Sequence, residues 1–469
     1  MKTNFNIRFA KLLSLGLVVM LLSGCENDPN DLEQASYSTN PDVFIDTFSS
    51  GLIYAAFSGT VVTSFQVDKD VAYNNTSASM RFDVPNVNDP AGAYAGGAFF
   101  TAVGRDLSGY NALTFWAKSS QSAIIGEVGF GIDLDQNKYP VSLSNLQLST
   151  VWKKYIIPIP DASKLRIEKG LFNIAAGPDS NGNGYTFWID EVKFENLGTI
   201  AQQQAEINNG LNTTVTSFNG VSTTVTGMAA VFNMPNGYNQ SVNASPLFFN
   251  FSSSNTAVAT VDAQGVITTV GAGTAVITAT LAGINANGSI TIQSLGSFAA
   301  APVPTKPAAN VISVFSNAYT NVPVEYYNGY WQPYQTTTSA DFNVNGDAVL
   351  NYNNFNFVGI QFAQPTINAS GMTHIHFDIF IPGTLAAGAN FKIQLVDFGA
   401  DGSSGGSDNT SSNIITYTSP TLVSQNWISL DIPLSSFTGM TNKNHLAQII
   451  FSGTNLPNFY ADNIFLYHN

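Results

Sequence analysis

Residues 326–334 read YYNGYWQPY, five aromatic rings in nine residues separated by amides, Gly329 and Pro333. Tyr326-Tyr327 and Tyr330-Trp331 stand as adjacent doublets, whereas core rings on a strand alternate with polar residues. At least one ring of each doublet therefore points away from any core it borders. An exposed ring offers apolar area at about 25 cal/mol per Å², and Asn, Gln and Tyr hydroxyls supply hydrogen bonds. That pairing suits a ligand with an apolar C–H face and a rim of hydroxyls, such as a sugar, and a contiguous exposed aromatic patch generally marks a binding site. The alternative is a packed loop. Tyr326, Tyr327, Tyr330, Trp331 and Tyr334 are the candidates.

Two strand-like runs carry a second set. In LTFWAK (113–118), Leu113, Phe115 and Ala117 can fill a core, leaving Thr114, Trp116 and Lys118 on the other face. In THIHFDIF (373–380), Ile375, Phe377 and Ile379 take the core, and His374, His376, Asp378 and Phe380 look outward. Trp116, His376 and Asp378 join the candidates, with cover by loops or a second sheet as the competing reading for Trp116. His374 and His376 could ligate a metal, but no third His or Cys lies nearby in sequence.

Catalytic patterns are missing. Glycoside hydrolysis needs two facing carboxyl groups, yet residues 309–469 contain one Glu, Glu325. The run EVGFGID (127–133) does not form an E-x-D-x-x-E signature, and there is no G-x-S-x-G elbow, P-loop or H-E-x-x-H. The sequence points away from an enzyme, with an adhesin or structural surface protein as the alternative to a binder.

The elements that must position these residues are strands. Only 10% of the 469 residues are charged, 44% are hydrophobic and 12% aromatic, and Thr, Val, Ile, Phe, Asn, Ser and Gly displace the helix formers. The length suggests about three domains. Seventeen basic against 31 acidic side chains argue against nucleic acid, whose binding is mostly phosphate neutralisation. Short alternating runs separated by turn clusters such as GPDSNGNG (177–184) predict a β-sandwich over 42–198. A similar order recurs over 309–469: VFIDTFS with NVISVFS, WKKYIIPIP with WISLDIPLS, FWIDEVKF with FYADNIFL. Between them, 210–294 holds further hairpin-like alternation, and the Pro/Ala-rich 295–308 reads as a semi-stiff connector. The fold class is all-β and multidomain, and a monomer is expected.

At the N-terminus, Lys2, Arg8 and Lys11 precede LLSLGLVVMLL and LLSGC, a charged region, an apolar region and a processing site too short to span a bilayer. LLSGC resembles the lipobox of bacterial lipoproteins, which implies cleavage of residues 1–24 and acylation of Cys25, the only cysteine. Without the three basic residues, 14 basic face 31 acidic groups, a net −17. Residues 25–41, which after Cys25 read ENDPNDLEQASYSTNP, are acidic and without apolar periodicity, so a flexible tether is expected. Acidic residues behind the acylated cysteine resemble the export signal of surface lipoproteins in Bacteroidetes, implying a lipid-anchored protein exposed at the outer membrane.

SNTAVATVDAQGVITTVGAGTAVITA (254–279) resembles the bacterial group 2 immunoglobulin-like domain, a spacer. Both flanking sandwiches resemble jelly-roll carbohydrate-binding modules of marine Bacteroidetes polysaccharide-utilisation systems. The first, with YAGGAFF, DLSGYNALTFWAKSS and GYTFWIDEVKFENLGTI, is similar to modules of surface glycan-binding lipoproteins encoded beside SusC- and SusD-like transport proteins. The second, with SNAYTNVPVEYYNGYWQPY, MTHIHFDIF and ADNIFLYHN, is similar to modules attached to laminarinases. The resemblance implies a non-catalytic binder of laminarin, a β-1,3-glucan, working with SusC/SusD-like partners, and it adds Tyr94 to the binding candidates. It also implies a structural Ca²⁺ between first and last strands, for which Asp46, Asp68, Asp70 and Asp190 are candidates in the first sandwich. Ser313 stands opposite Asp46 in the second.

Overall fold

The computed structural model describes residues 36–469 apart from 199, 235, 345, 346, 406 and 441. Cys25, the leader and the first part of the tether lie outside the described residues. The chain is all-β and divides into two compact units, residues 1–201 with 234–242, and 202–233 with 243–469.

The first unit contains a sandwich of eleven strands: β1 (Asp42–Phe44), β2 (Leu52–Ala56), β3 (Phe65–Asp68), β4 (Ser79–Val84), β5 (Ala95–Arg105), β6 (Ala112–Ser119), β7 (Ala123–Phe130), β8 (Val141–Leu148), β9 (Lys153–Pro158), β10 (Glu168–Ala176) and β11 (Tyr185–Glu195). One sheet runs β3-β4-β11-β6-β9 with β1 on β11, and the facing one β2-β5-β10-β7-β8. Inward-facing rings from both fill the space between: Phe82 stacks on Phe187 at 5.0 Å, and Phe172 of one sheet meets Phe115 of the other at 5.8 Å. The end of the tether is bound to the sandwich. Arg105, 3% exposed, donates to the carbonyls of Asn40 (2.9 Å) and Asp42 (2.6 Å), and Asp106 N donates to Ser38 O.

Near that clamp, Glu168 is 4% exposed and accepts one bond from Gly170 N at 2.8 Å. Burial, reinforced by the charge of Asp133, pushes its carboxyl up to about 7 from an ordinary 4.5. A raised folded-state value favours the protonated form in the fold. Its stabilising contribution is complete below pH 4.5 and is lost as pH rises through 7, roughly 3 kcal/mol over that window. Chemical denaturation of the full chain at pH 5 and pH 8 should show this loss, and Glu168→Gln should flatten it. An equally steep slope in the variant would place the pH dependence on other groups.

The second unit holds two cores. In the immunoglobulin-like part, Gly273–Leu281 pairs with Phe249–Ser253 and Ser289–Ser294, and Asn212–Ser217 runs parallel to Ser289–Ser294 over six residue pairs. A small sheet of Ser222–Thr224, Val266–Thr269 and Ala259–Val261 faces them, with the Gln264-Gly265 turn closing its hairpin.

The C-terminal sandwich repeats the first in strand order. Thr338–Val344, Asp347–Asn353, Phe459–Tyr467, His374–Phe380 and Trp427–Pro433 form one sheet with Val311–Phe315 on Phe459–Tyr467, matching β3-β4-β11-β6-β9 with β1. Phe357–Gln361, Leu446–Thr454, Asn390–Asp397 and then Ile415–Thr418 form the other, matching β5-β10-β7-β8. A two-residue strand, Thr410–Ser411, is added on Asn390–Asp397, and the counterpart of β2 differs. There the edge of Phe357–Gln361 carries a single bridge, Tyr326 to Gln361, so the aromatic segment occupies the place of an edge strand.

The Pro/Ala-rich segment is docked along this sandwich. Phe298 packs among Phe218, Phe342, Phe380, Trp427 and Tyr460 at centroid distances of 4.8–5.8 Å. Trp427 Nε1 donates to Ala299 O at 2.7 Å and Asn463 Nδ2 to Pro302 O at 2.9 Å. Because Phe218 belongs to the immunoglobulin-like part, this aromatic cluster joins the two cores. The segment acts as a bound strap where its proline content alone suggests a spacer.

Candidate functional site

Trp331 lies on the outer face of the second sheet of the C-terminal sandwich. Val358 and Ile360 are fully buried, so the alternation of Phe357–Gln361 turns Phe357, Gly359 and Gln361 outward. A Cβ at Gly359 would collide with the six-membered ring of Trp331. The glycine is the seat of the indole, and the half-buried ring keeps its remaining surface in solvent.

Amides and a carboxylate flank it. Gln361 Oε1 accepts from Tyr326 OH at 2.8 Å and from Gln448 Nε2 at 2.6 Å, while Gln361 Nε2 donates to Glu325 Oε2 at 2.6 Å. Glu325 Oε1 accepts from Ala363 N at 3.1 Å. Burial raises the Tyr326 phenol, opposed by a hydrogen bond with Trp331. Pairing across the sheet sets Ile450 beside Gly359, and Gln394 beyond it. An apolar ring at one edge of a face carrying oriented amides and hydroxyls can stack on a pyranose and bond its hydroxyl rim.

The first doublet divides as alternation requires, and both rings of the second stay outside the core. Tyr326 and Trp331 go to the outer face. Tyr327 packs against the core and donates through its hydroxyl to Val314 O at 3.0 Å. Tyr330 is 50% and Tyr334 78% exposed. Buried Asn328 and Gln335 hold the loop: Gln335 Oε1 accepts from Trp331 N, Asn328 Oδ1 from Tyr330 N, and Gln335 Nε2 donates to Asn328 Oδ1.

His376 and Asp378 are not beside Trp331. They lie on the opposite sheet, and Asp378 is wholly buried, accepting from Asn463 Nδ2 at 2.8 Å and from Ser429 Oγ. His376 stacks on Phe465 at 4.7 Å and contacts Asp431 at 2.9 Å. Burial would lower its imidazole, but the bonds to Asp378 and Asp431 outweigh that and raise it. The outward reading of this pair is corrected: the same face is covered at Phe380 by Phe298 of the strap, and both polar side chains are structural.

In the first unit, Trp116 and Tyr94 likewise fall on different sheets. Tyr73 covers Trp116 in a stack at 3.9 Å and 16°, with Trp152 against Tyr73 at 5.8 Å. Tyr94 lies against Gly59 and Gly96, its hydroxyl donating to Ser58 O at 2.8 Å. Phe172 and Ile174 are core, so Asn173 between them faces outward on the same sheet; it is 3% exposed, and its Oδ1 has no hydrogen-bond partner.

Three of the four carboxylates suggested for Ca²⁺, those of Asp46, Asp68 and Asp190, are engaged by chain donors. Asp46 accepts from Ser77 N and Oγ, Asp68 from Trp188 Nε1 (2.9 Å), Asp70 N and Val71 N. Asp190 accepts from Tyr73 N (2.8 Å), Thr76 Oγ1 (2.7 Å) and Glu191 N (2.7 Å). Among the described residues no group of three His, Cys, Asp or Glu side chains is placed to hold a metal. These residues, as arranged, do not fit a cation site.

Sequence reasoning missed Gly359, Gln361 and Gln448. The alternation V358-x-I360 carried the signal for the first two; nothing local marked Gln448.

Comparison with known proteins bears on two segments. Residues 43–196 match the family model described as carbohydrate binding domain 30, and residues 248–283 that of the intimin immunoglobulin-like domain. No curated protein matches the chain. Among solved structures, the chain is similar to the family 30 carbohydrate-binding module of the cellulosomal cellulase Cel9D-Cel44B of Clostridium thermocellum, at 18% identity over 34% of this chain and 95% of that one, with a TM-score of 0.24. It is similar to the tandem CBM22-1–CBM22-2 of Paenibacillus barcinonensis Xyn10C, at 10% identity over 93% of this chain and all of that one, TM-score 0.22. A β-1,2-glucanase of Parabacteroides distasonis gives 12% identity over 55% and 39% of the two chains, TM-score 0.23. Over residues 43–196, the N-terminal sandwich is thus similar to carbohydrate binding domain 30.

Proposed function

We propose that this protein is a non-catalytic, lipid-anchored glycan-binding protein of the outer cell surface, holding a β-1,3-glucan such as laminarin for a SusC/SusD-type uptake system. The observation that carries the binding role is Trp331 seated on Gly359 beside the Tyr326–Gln361–Gln448 network, in a chain whose N-terminal sandwich matches a carbohydrate-binding family. The net charge, −14 for the full chain and −17 without residues 1–24, favours a neutral polysaccharide over a uronate or sulfate polymer, which it would repel. Anchoring rests on LLSGC and Cys25, since two or more acyl chains give stable attachment.

Affinity electrophoresis of the full protein against laminarin, mixed-linkage glucan, xylan and alginate should show retardation by laminarin without release of reducing ends. In cells, Cys25→Ala should move the protein from the membrane to the soluble fraction. Migration unaffected by every polysaccharide would favour an adhesin, and reducing-end release an enzyme.

A further inference from the structure

The aromatic loop borders a second cavity, separate from the Trp331 face. A cleft of about 640 Å³ opens beside the edge strand Thr338–Val344 and is lined by Phe315, Tyr327, Tyr330, Ser339, Leu350 and Tyr352 among others. That volume lies within the range of small-ligand pockets. Tyr352, fully buried with its hydroxyl donating to Tyr327 O at 2.7 Å, forms part of the floor. Tyr330 forms an exposed wall, its hydroxyl 3.0 Å from Ser339 Oγ.

Tyr330 is held at φ 47, a left-handed conformation that a bulky residue rarely adopts. Asn328 Oδ1, accepting from Tyr330 N, keeps it there. The consequence is directional: the kink sends Tyr330 to the cleft while its neighbour Trp331 goes to the sheet face. Local strain maintained by a buried amide at an exposed aromatic ring is the pattern of a binding site.

We propose that this cleft is a second glycan subsite that takes the end of a chain or a short branch, one ring set between Tyr330 and Tyr327 with its hydroxyls on Ser339 and the Tyr330 phenol. A terminal unit or short branch is the occupant we assign because buried Tyr352 and core-packed Tyr327 back the cleft, so a sugar enters it from the solvent side only. The sheet face at Trp331, where Phe357, Gln361, Gln394 and Ile450 are part-exposed, suits internal units. This assignment rests on the glycan-binding reading above.

Titration calorimetry of the full protein with laminaribiose and with laminarin separates the sites. Tyr330→Ala should weaken laminaribiose binding at least about tenfold while changing laminarin affinity by less than about threefold, and Trp331→Ala should do the reverse. Ala348→Phe, which fills the cleft and leaves every loop residue in place, should reproduce Tyr330→Ala and guards against a folding artefact. Laminaribiose binding lost only in Trp331→Ala, or undetectable in a parent that binds laminarin, overturns the subsite and leaves the glycan reading intact. A parent that binds neither sugar overturns both.

Discussion

Trp331→Ala should weaken retention by laminarin by roughly 30-fold, the scale of a single dominant aromatic contact, and leave the melting temperature within a few degrees of the parent. The indole is half-buried on the sheet surface, and the bonds that shape its loop run through Asn328, Gln335 and backbone groups that the substitution retains. Gly359→Ala makes a complementary test, because the added methyl must displace the ring it would touch while every aromatic side chain is kept. It should cost affinity in the same direction. Tyr327→Ala differs in kind: that ring packs on the core, so the expected result is lower stability. Normal laminarin binding by folded Trp331→Ala protein would remove the platform from the site.

The second large effect concerns the aromatic cluster around Phe218. This ring is 2% exposed and lies 4.8 Å from Phe298, 5.9 Å from Phe342 and 5.8 Å from Tyr460. Phe218→Ala should cost about 3–5 kcal/mol, and the loss should fall on the coupling between the immunoglobulin-like core and the C-terminal sandwich. Scanning calorimetry of the full chain should therefore show one transition for this unit in the parent and two in the variant. Two transitions already present in the parent would mean that the cores melt independently despite the shared cluster.

Much of the architecture was legible because alternation is a local signal. LTFWAK and THIHFDIF put Phe115, Phe377 and their neighbours inward as read, and the first doublet of YYNGYWQPY divided between core and surface while both rings of the second stay outside the core. What alternation cannot carry is whether an outward residue stays uncovered. Trp116 points away from its own core, yet Tyr73, 43 positions earlier, lies flat on it; His376 and Asp378 are enclosed by groups from 429–465. The proline-rich segment misled for a related reason: composition describes the stiffness of a free chain, and the docking of Phe298 depends on rings at 342, 380, 427 and 460. Legibility failed wherever the deciding partner was distant in sequence.

The parallel pairing of Asn212–Ser217 with Ser289–Ser294 has a mechanical corollary. If the chain is pulled from its ends, these first and last strands of the immunoglobulin-like part are drawn in opposite directions along their own axes, which loads their six residue pairs in shear. The bonds of the ladder must then fail together, whereas a pair of strands peeled from one end opens bond by bond. Forced opening is governed by the unfolding rate, so this arrangement gives resistance to tension out of proportion to the domain's equilibrium stability.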